Sequence, residues 1–246
     1  MALCPQPSDL WRFEHKYLLN RFQYLQVKNA ITPYVVPDSF TSRAAGRGYT
    51  VRSLYYDSAD YAAYREKIEG NFARVKLRLR TYATSAEINP PIRVELKTRQ
   101  GAVMVKYESF ANYQDYTHFM QHRHWPENDD PVRSEFERLV RLHSMEPKVI
   151  VQYQREGYEP RGRDNFRLTF DHNVCSAAAR TLFPDNLFFH RHNSFVVLEI
   201  KCREKSPRWL QHLVKIYGLK VVANSKYVQG VEAACLDAYT RTWSYG

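Results

Sequence analysis

The chain has 246 residues, 36 Lys plus Arg against 26 Asp plus Glu, and a formal net charge of +10. That length accommodates a sizeable core, and that charge asks for an anionic partner: phosphates, nucleic acid or a membrane surface. Four cysteines without metal-ligand spacing argue against a disulfide scaffold or zinc module, and neither a signal core nor a bilayer-length run is present, so a soluble cytoplasmic protein with one domain over 1–246 is expected.

Trp11 to Leu19 alternates and predicts a strand, with Arg12, Glu14, Lys16 and Leu18 on one side and Phe13, His15, Tyr17 and Leu19 on the other. Asn20 suits the cap of a helix over 21–31, which Pro33 helps to end. A polar loop is expected over 37–48, a strand over 49–57, and a short helix through Lys67 capped by Ser58 or Asp60.

The stretch 72–108 organises the rest. Arg74, Lys76, Arg78 and Arg80 alternate with Ala73, Val75, Leu77 and Leu79, which puts four cations on one strand face. Arg93, Glu95 and Lys97 lie opposite Val94 and Leu96, and after a turn at Gln100–Gly101, Lys106 and Glu108 share a face. Antiparallel pairing of these segments stacks cations on cations, which is costly unless an anion or interleaved carboxylates offset it. A solvated outer face is the ordinary explanation; a surface built to hold a polyanion is the sharper one.

Helices are expected over 112–121 and 133–144, the second carrying Phe136, Leu139, Val140 and Leu142 near the spacing of a buried stripe. His118, His122 and His124 lack a carboxylate or cysteine at a confirming offset and read as solvent-facing. Strands follow over 148–156, with Tyr153 and Arg155 on one face, and over 165–173, with Arg167, Thr169 and Asp171 opposite Phe166, Leu168 and Phe170. Residues 157–164 read as their hairpin turn, and 174–194 as irregular strand and loop. A strand over 195–201 puts Glu199 and Lys201 together, Pro207 opens a helix that Gly218 ends, and Ser225 caps a last helix over 226–238. The charged faces of about eight mostly antiparallel strands could lie in solvent on an open sheet or point inward in a closed barrel, and spacing alone does not choose.

Glu14-His-Lys16, Arg78-Leu-Arg80, Glu95-Leu-Lys97, Tyr153-Gln-Arg155, Leu198-Glu-Ile-Lys201 and Ser225-Lys226 occur in an order that resembles the VTC domain, the polyphosphate polymerase domain of the triphosphate tunnel metalloenzyme group. The resemblance runs from about Trp11 to Ala238. It implies an α+β fold: a closed antiparallel eight-stranded β-barrel tunnel with a charged lumen, flanked by helices. It also implies transfer of the ATP γ-phosphate onto a growing polyphosphate, releasing ADP, with Mn²⁺ or Mg²⁺.

Phosphoryl transfer asks a protein mainly for positioning and neutralised charge. By the resemblance, Arg78 and Arg80 fork across phosphate oxygens, and Lys97, Lys106, Arg155 and Arg167 continue the track. Lys16 sits near the transferring phosphate, Tyr153 packs or donates nearby, and Ser225 and Lys226 offer a helix N-terminus that favours anions. Glu199 is the metal candidate, because hard cations need only one or two carboxylates beside phosphate oxygens and water. Glu14, Glu95 and Glu108 offset lumen cations or assist the metal. The implied partners are ATP and inorganic polyphosphate. No RNA-binding signature accompanies the charge, so sequence-specific nucleic acid is not expected, and membrane association would run through another chain.

One departure bears on the reaction. Triphosphatases of the wider group carry Glu-x-Glu-x-Lys on the first strand, whereas Arg12-Phe-Glu14-His-Lys16 replaces the first acid by arginine. That loss fits phosphate handling better than a metal-activated water. A non-catalytic polyphosphate sensor and a metal-dependent triphosphatase are the alternatives.

Overall fold

The computed structural model describes residues 13–236 apart from 87–88, 102, 127–128 and 204. Arg12, Trp11, Cys4 and the 237–238 end of the expected last helix lie outside the described residues. The alternating segments form β1 (Phe13–Leu19), β2 (Val35–Pro37), β3 (Tyr49–Asp57), β4 (Ala73–Thr81), β5 (Ile92–Gln100), β6 (Val103–Ala111), β7 (Glu146–Pro160), β8 (Phe166–Ala178), β9 (His190–Arg191) and β10 (Val196–Cys202). The helices are α1 (Arg21–Ile31), α2 (Ser39–Arg43), α3 (Ala62–Ile68), α4 (Tyr113–His122), α5 (Pro131–Leu142), α6 (Arg208–Ile216) and α7 (Lys226–Val231), the last running into a π-helical turn, Glu232–Leu236.

The principal strands run β1-β10-β8-β7-β3-β4-β5-β6, with β2 added to β7 and β9 to β8, and every pairing is antiparallel. Among the described residues backbone pairing stops at β1 and β6, so the expected closed barrel is corrected to an open, curled sheet. The curl still brings Lys97 of β5 within 3.6 Å of Glu14 of β1. Side chains reach across the interior where strand backbones, which must approach to about 4.8 Å, do not meet.

The convex face is apolar and covered by helices. Tyr17, Leu19, Phe166, Leu168, Phe170 and Leu198 pack under α1 and α6. Leu54, Leu77, Leu79, Val94 and Leu96 pack under α4 and α5 with the buried Trp125. The concave face carries the charges, except where α7 lies on it: Tyr227 and Val231 pack against Val51, Val149, Val151 and Val174. Gly230 makes this approach close, since a Cβ there would stand 3.0 Å from Val151.

Local signals account for most boundaries. Asn20 and Gln23 form a capping box at α1, and Asn112 caps α4. The second helix of the middle region begins at Pro131, capped by Asp130, two residues earlier than expected. At α3 the Asp57 carboxylate and the Ser58 hydroxyl accept from the first turn, whereas Asp60 pairs with Arg65. Pro207 takes the cap position of α6 rather than its first turn.

The expected loop over 37–48 instead holds α2, and the first half of the expected turn over 157–164 is strand, because β7 extends to Pro160 to pair with β2. Past Asp171 the simple alternation fails. Asn173, at φ 51°, sits in a bulge where Gln152 pairs with Cys175 but Gln154 with His172. The extra residue inverts the faces, so Val174 and Ser176 take up the concave side that Thr169 and Asp171 occupied.

Candidate functional site

Because β4, β5 and β6 pair in register, their concave residues form rows. Arg80 faces Arg93; Arg78 faces Glu95, which faces Glu108; Lys76 faces Lys97, which faces Lys106. Across the curl, β1 and β10 form a checkerboard in which Glu14 faces Lys201 and Lys16 faces Glu199. These groups line one cavity of about 520 Å³. Glu14, Lys16, Arg78, Arg80, Lys97, Lys106, Tyr153, Arg155, Arg167, Glu199, Ser225 and Lys226, the residues singled out in sequence, all stand on its wall.

The carboxylates are committed to cations. Buried Glu95 pairs with Arg78, with Lys106 at 2.8 Å and with Arg80 at 3.6 Å. Burial pushes its carboxyl up, but Arg78, Arg80 and Lys106 outweigh that and hold it well below the usual range. Glu108 pairs with Lys106 and, at 3.1 Å, with Arg93. Asp171 takes a forked pair from Arg155 at 2.6 and 2.8 Å and a third contact from Lys226 at 2.6 Å. Glu199 lies 3.1 Å from Lys201 and 3.8 Å from Lys16, while Lys16 is 2.9 Å from Glu14. Burial and Glu199 push the Glu14 carboxyl up, but Lys16, Lys97 and Lys201 bring it down to about 2.

Lys76 differs. Among the described residues no carboxylate pairs with it; its Nζ lies 3.3 Å from Ser225 Oγ and 5.0 Å from the Tyr227 ring centroid. Burial, then Lys67, Lys97, Arg74 and Lys16, lower its ammonium to about 7. Ser225 Oγ also accepts from Val228 N at the start of α7, so cap and cavity wall are one group. Tyr227 is held by a buried hydrogen bond to Asp57.

Lys76, Arg93, Lys201, Tyr55 and Tyr227 also line the cavity, with Asp171 behind the wall on Arg155 and Lys226, although sequence reasoning named none of them as a site residue. The signal for Lys76 was present, since it shares the alternating run of Arg78 and Arg80. Asp171 and Lys201 likewise stood on the charged faces of their strands. Of the three histidines, His122 and His124 are exposed as expected and His118 is half-buried; His122 Nδ1 lies 3.0 Å from the His118 carbonyl, and His124 contacts Glu137.

No group of three His, Cys, Asp or Glu able to hold a metal occurs among the described residues. Two carboxylates, Glu14 and Glu199, do stand together around Lys16. Beside them Thr169 Oγ1, cross-strand from Glu199, is buried without a hydrogen-bond partner. This hard-oxygen set suits Mg²⁺ or Mn²⁺ completed by phosphate oxygens and water.

The family model described as the VTC domain matches residues 11–235. No curated protein matches the chain. Among solved structures, a Bacillus halodurans protein provisionally called an adenylate cyclase aligns with TM-score 0.52 at 13% identity, covering 90% of this chain and 95% of that one. A Vibrio parahaemolyticus protein with the same provisional name aligns at 0.43 and 12% identity, covering 88% and 95%. A Pyrococcus horikoshii OT3 protein aligns at 0.45 and 13%, also covering 88% and 95%. The first of these likenesses speaks to fold alone, and the other two carry no weight.

Proposed function

The chain belongs to the VTC domain family, and from that premise we propose that it is a polyphosphate polymerase, moving the γ-phosphate of ATP onto a growing polyphosphate inside the basic cavity. The observation that carries this reading is the cationic row Lys76–Lys97–Lys106, which continues into Ser225 and Lys226 and leaves Lys76 without a carboxylate. A solvated outer sheet face would not gather such a row on the wall of one cavity; a polyanion site would.

In the proposed reaction a terminal oxygen of the acceptor chain attacks Pγ, the Pγ–O bond to the β-phosphate breaks, and ADP leaves with that electron pair. The attacking oxygen is already anionic, so positioning and charge neutralisation carry most of the rate. Arg78 and Arg80, held on one face of β4, are placed to fork across phosphate oxygens, while Glu95 fixes their direction. Lys16 and Lys97 stand over the Glu14 end of the cavity and neutralise charge that develops on the bridging oxygen. Lys76 and Lys226 flank the N-terminus of α7 and hold the acceptor chain. Glu199, with Glu14 and Thr169, would hold Mn²⁺ or Mg²⁺, which would further neutralise the phosphates.

The test is incubation of the protein with ATP and Mn²⁺, resolving polymer on a gel while assaying ADP and orthophosphate separately. A polymer ladder with matching ADP is the expected outcome. Orthophosphate without polymer would replace this reading with a triphosphatase. Neither product, together with salt-sensitive polyphosphate binding, would leave a sensor.

A further inference from the structure

Helix α2 has no buried residue, yet its mount is rigid. The nearly inaccessible Asp38 accepts from Thr41 N at 2.8 Å and from Arg167 at 2.7 Å, and donates its own N–H to the Gly157 carbonyl at 2.8 Å. Gly157 N donates to Thr41 Oγ1 at 2.7 Å, and a Cβ on Gly157 would collide with the Asp38 carboxylate. A five-residue helix with no fully buried residue adds little to the core and gives it little reason for such anchoring. What it presents is Phe40, on the cavity wall and 38% exposed.

Phe40 lies 5.2 Å from Tyr49 and 5.0 Å from Tyr82, centroid to centroid, and Tyr49 and Tyr82 are 5.6 Å apart. The Arg93 guanidinium stands over Tyr82 at 5.4 Å. Rings beside arginines at the edge of a cation-lined cavity form a stacking platform for a flat heterocycle. The geometry points to a nucleoside-base site: Phe40, backed by Tyr49 and Tyr82, stacks the base of a nucleoside triphosphate whose phosphates lie among Arg78, Arg80 and Arg93. This rests on the proposed function and adds how the donor is told from inorganic polyphosphate. Stacking on a ring takes any flat base, so both purine nucleotides should bind.

The experiment is calorimetric binding of ATP, GTP and inorganic tripolyphosphate to the full chain, in chelator to prevent turnover, for the wild type, Phe40→Ala and Phe40→Trp. Phe40→Ala should weaken ATP and GTP by about tenfold and leave tripolyphosphate unchanged, and Phe40→Trp should restore both nucleotides. Equal weakening of all three ligands, or no weakening of either nucleotide, overturns the proposal. Thermal midpoints of the variants should stay within a few degrees of the wild type, because Phe40 is only partly covered, by Tyr49 and Tyr82. A protein that binds ATP through Phe40 but forms no polymer on the gel keeps this site and loses the polymerase reading.

Discussion

Two adjacent rows of the concave face, one residue pair apart on the same strands, are built on opposite electrostatic plans. In the row Arg78–Glu95–Glu108, cation and carboxylate meet, and Glu95 gathers three cations. In the row Lys76–Lys97–Lys106 every position is a lysine; Lys97 and Lys106 borrow carboxylates from elsewhere, and Lys76 finds none among the described residues. The first row is matched by carboxylates within the free protein, and in the proposed reading an anion completes the second.

The largest effect should come from breaking the complete row. Glu95→Gln leaves Arg78, Arg80 and Lys106 without their shared partner and should cost about 3–5 kcal/mol in denaturant unfolding. Saturating tripolyphosphate should recover part of that loss. Next comes Glu199→Gln, expected to lower polymer formation by about 100-fold or more while polyphosphate affinity holds within a few-fold, measured by gel and by calorimetry. An equal loss of binding would make Glu199 a fold-holding ion pair.

Lys76→Met sharpens the contrast because its two effects differ in sign. Removing a partly buried ammonium with no carboxylate partner among the described residues should raise the thermal midpoint, whereas polyphosphate affinity should fall about tenfold. The smallest effect is in pH. Lys76, faced by Lys67, Lys97, Arg74, Lys16, Ser225 and Tyr227, is held near 7, so a bound polyanion draws a proton onto it. Affinity should therefore fall a few-fold as pH rises from about 6 to 9, and Lys76→Met should flatten that dependence. The sign for the free protein is opposite: its folded-state value lies below the ordinary 10.5, so this residue adds stability as pH climbs from about 7 toward 10.5.

Strands β4 to β6 were legible in the sequence because unbroken alternation sets both the period and the charged face. The bulge at Asn173 was not, because one extra residue inverts the faces without altering the composition around it. Helix α2 escaped notice because five residues hold barely more than one turn, too short for any periodicity; Phe40 was missed with it. The edges of the sheet were misjudged because closure depends on accumulated curl and stagger over every strand, which no local pattern encodes. Which side chains line the cavity was largely legible, since strand parity places side chains on a face. Which carboxylate answers which cation was not, because that depends on partners from distant strands, as between Lys97 and Glu14.

The seat of α7 has a consequence for biosynthesis. Both convex cores draw on segments made before residue 226, so a chain emerging from the ribosome can assemble its outer layers first. Val51, Val149, Val151 and Val174 stay wet on the inner face until Tyr227 and Val231 arrive to cover them. Ser225 and Lys226 arrive with that cover, so the nascent half-shell completes its cavity wall in the same step that seals it.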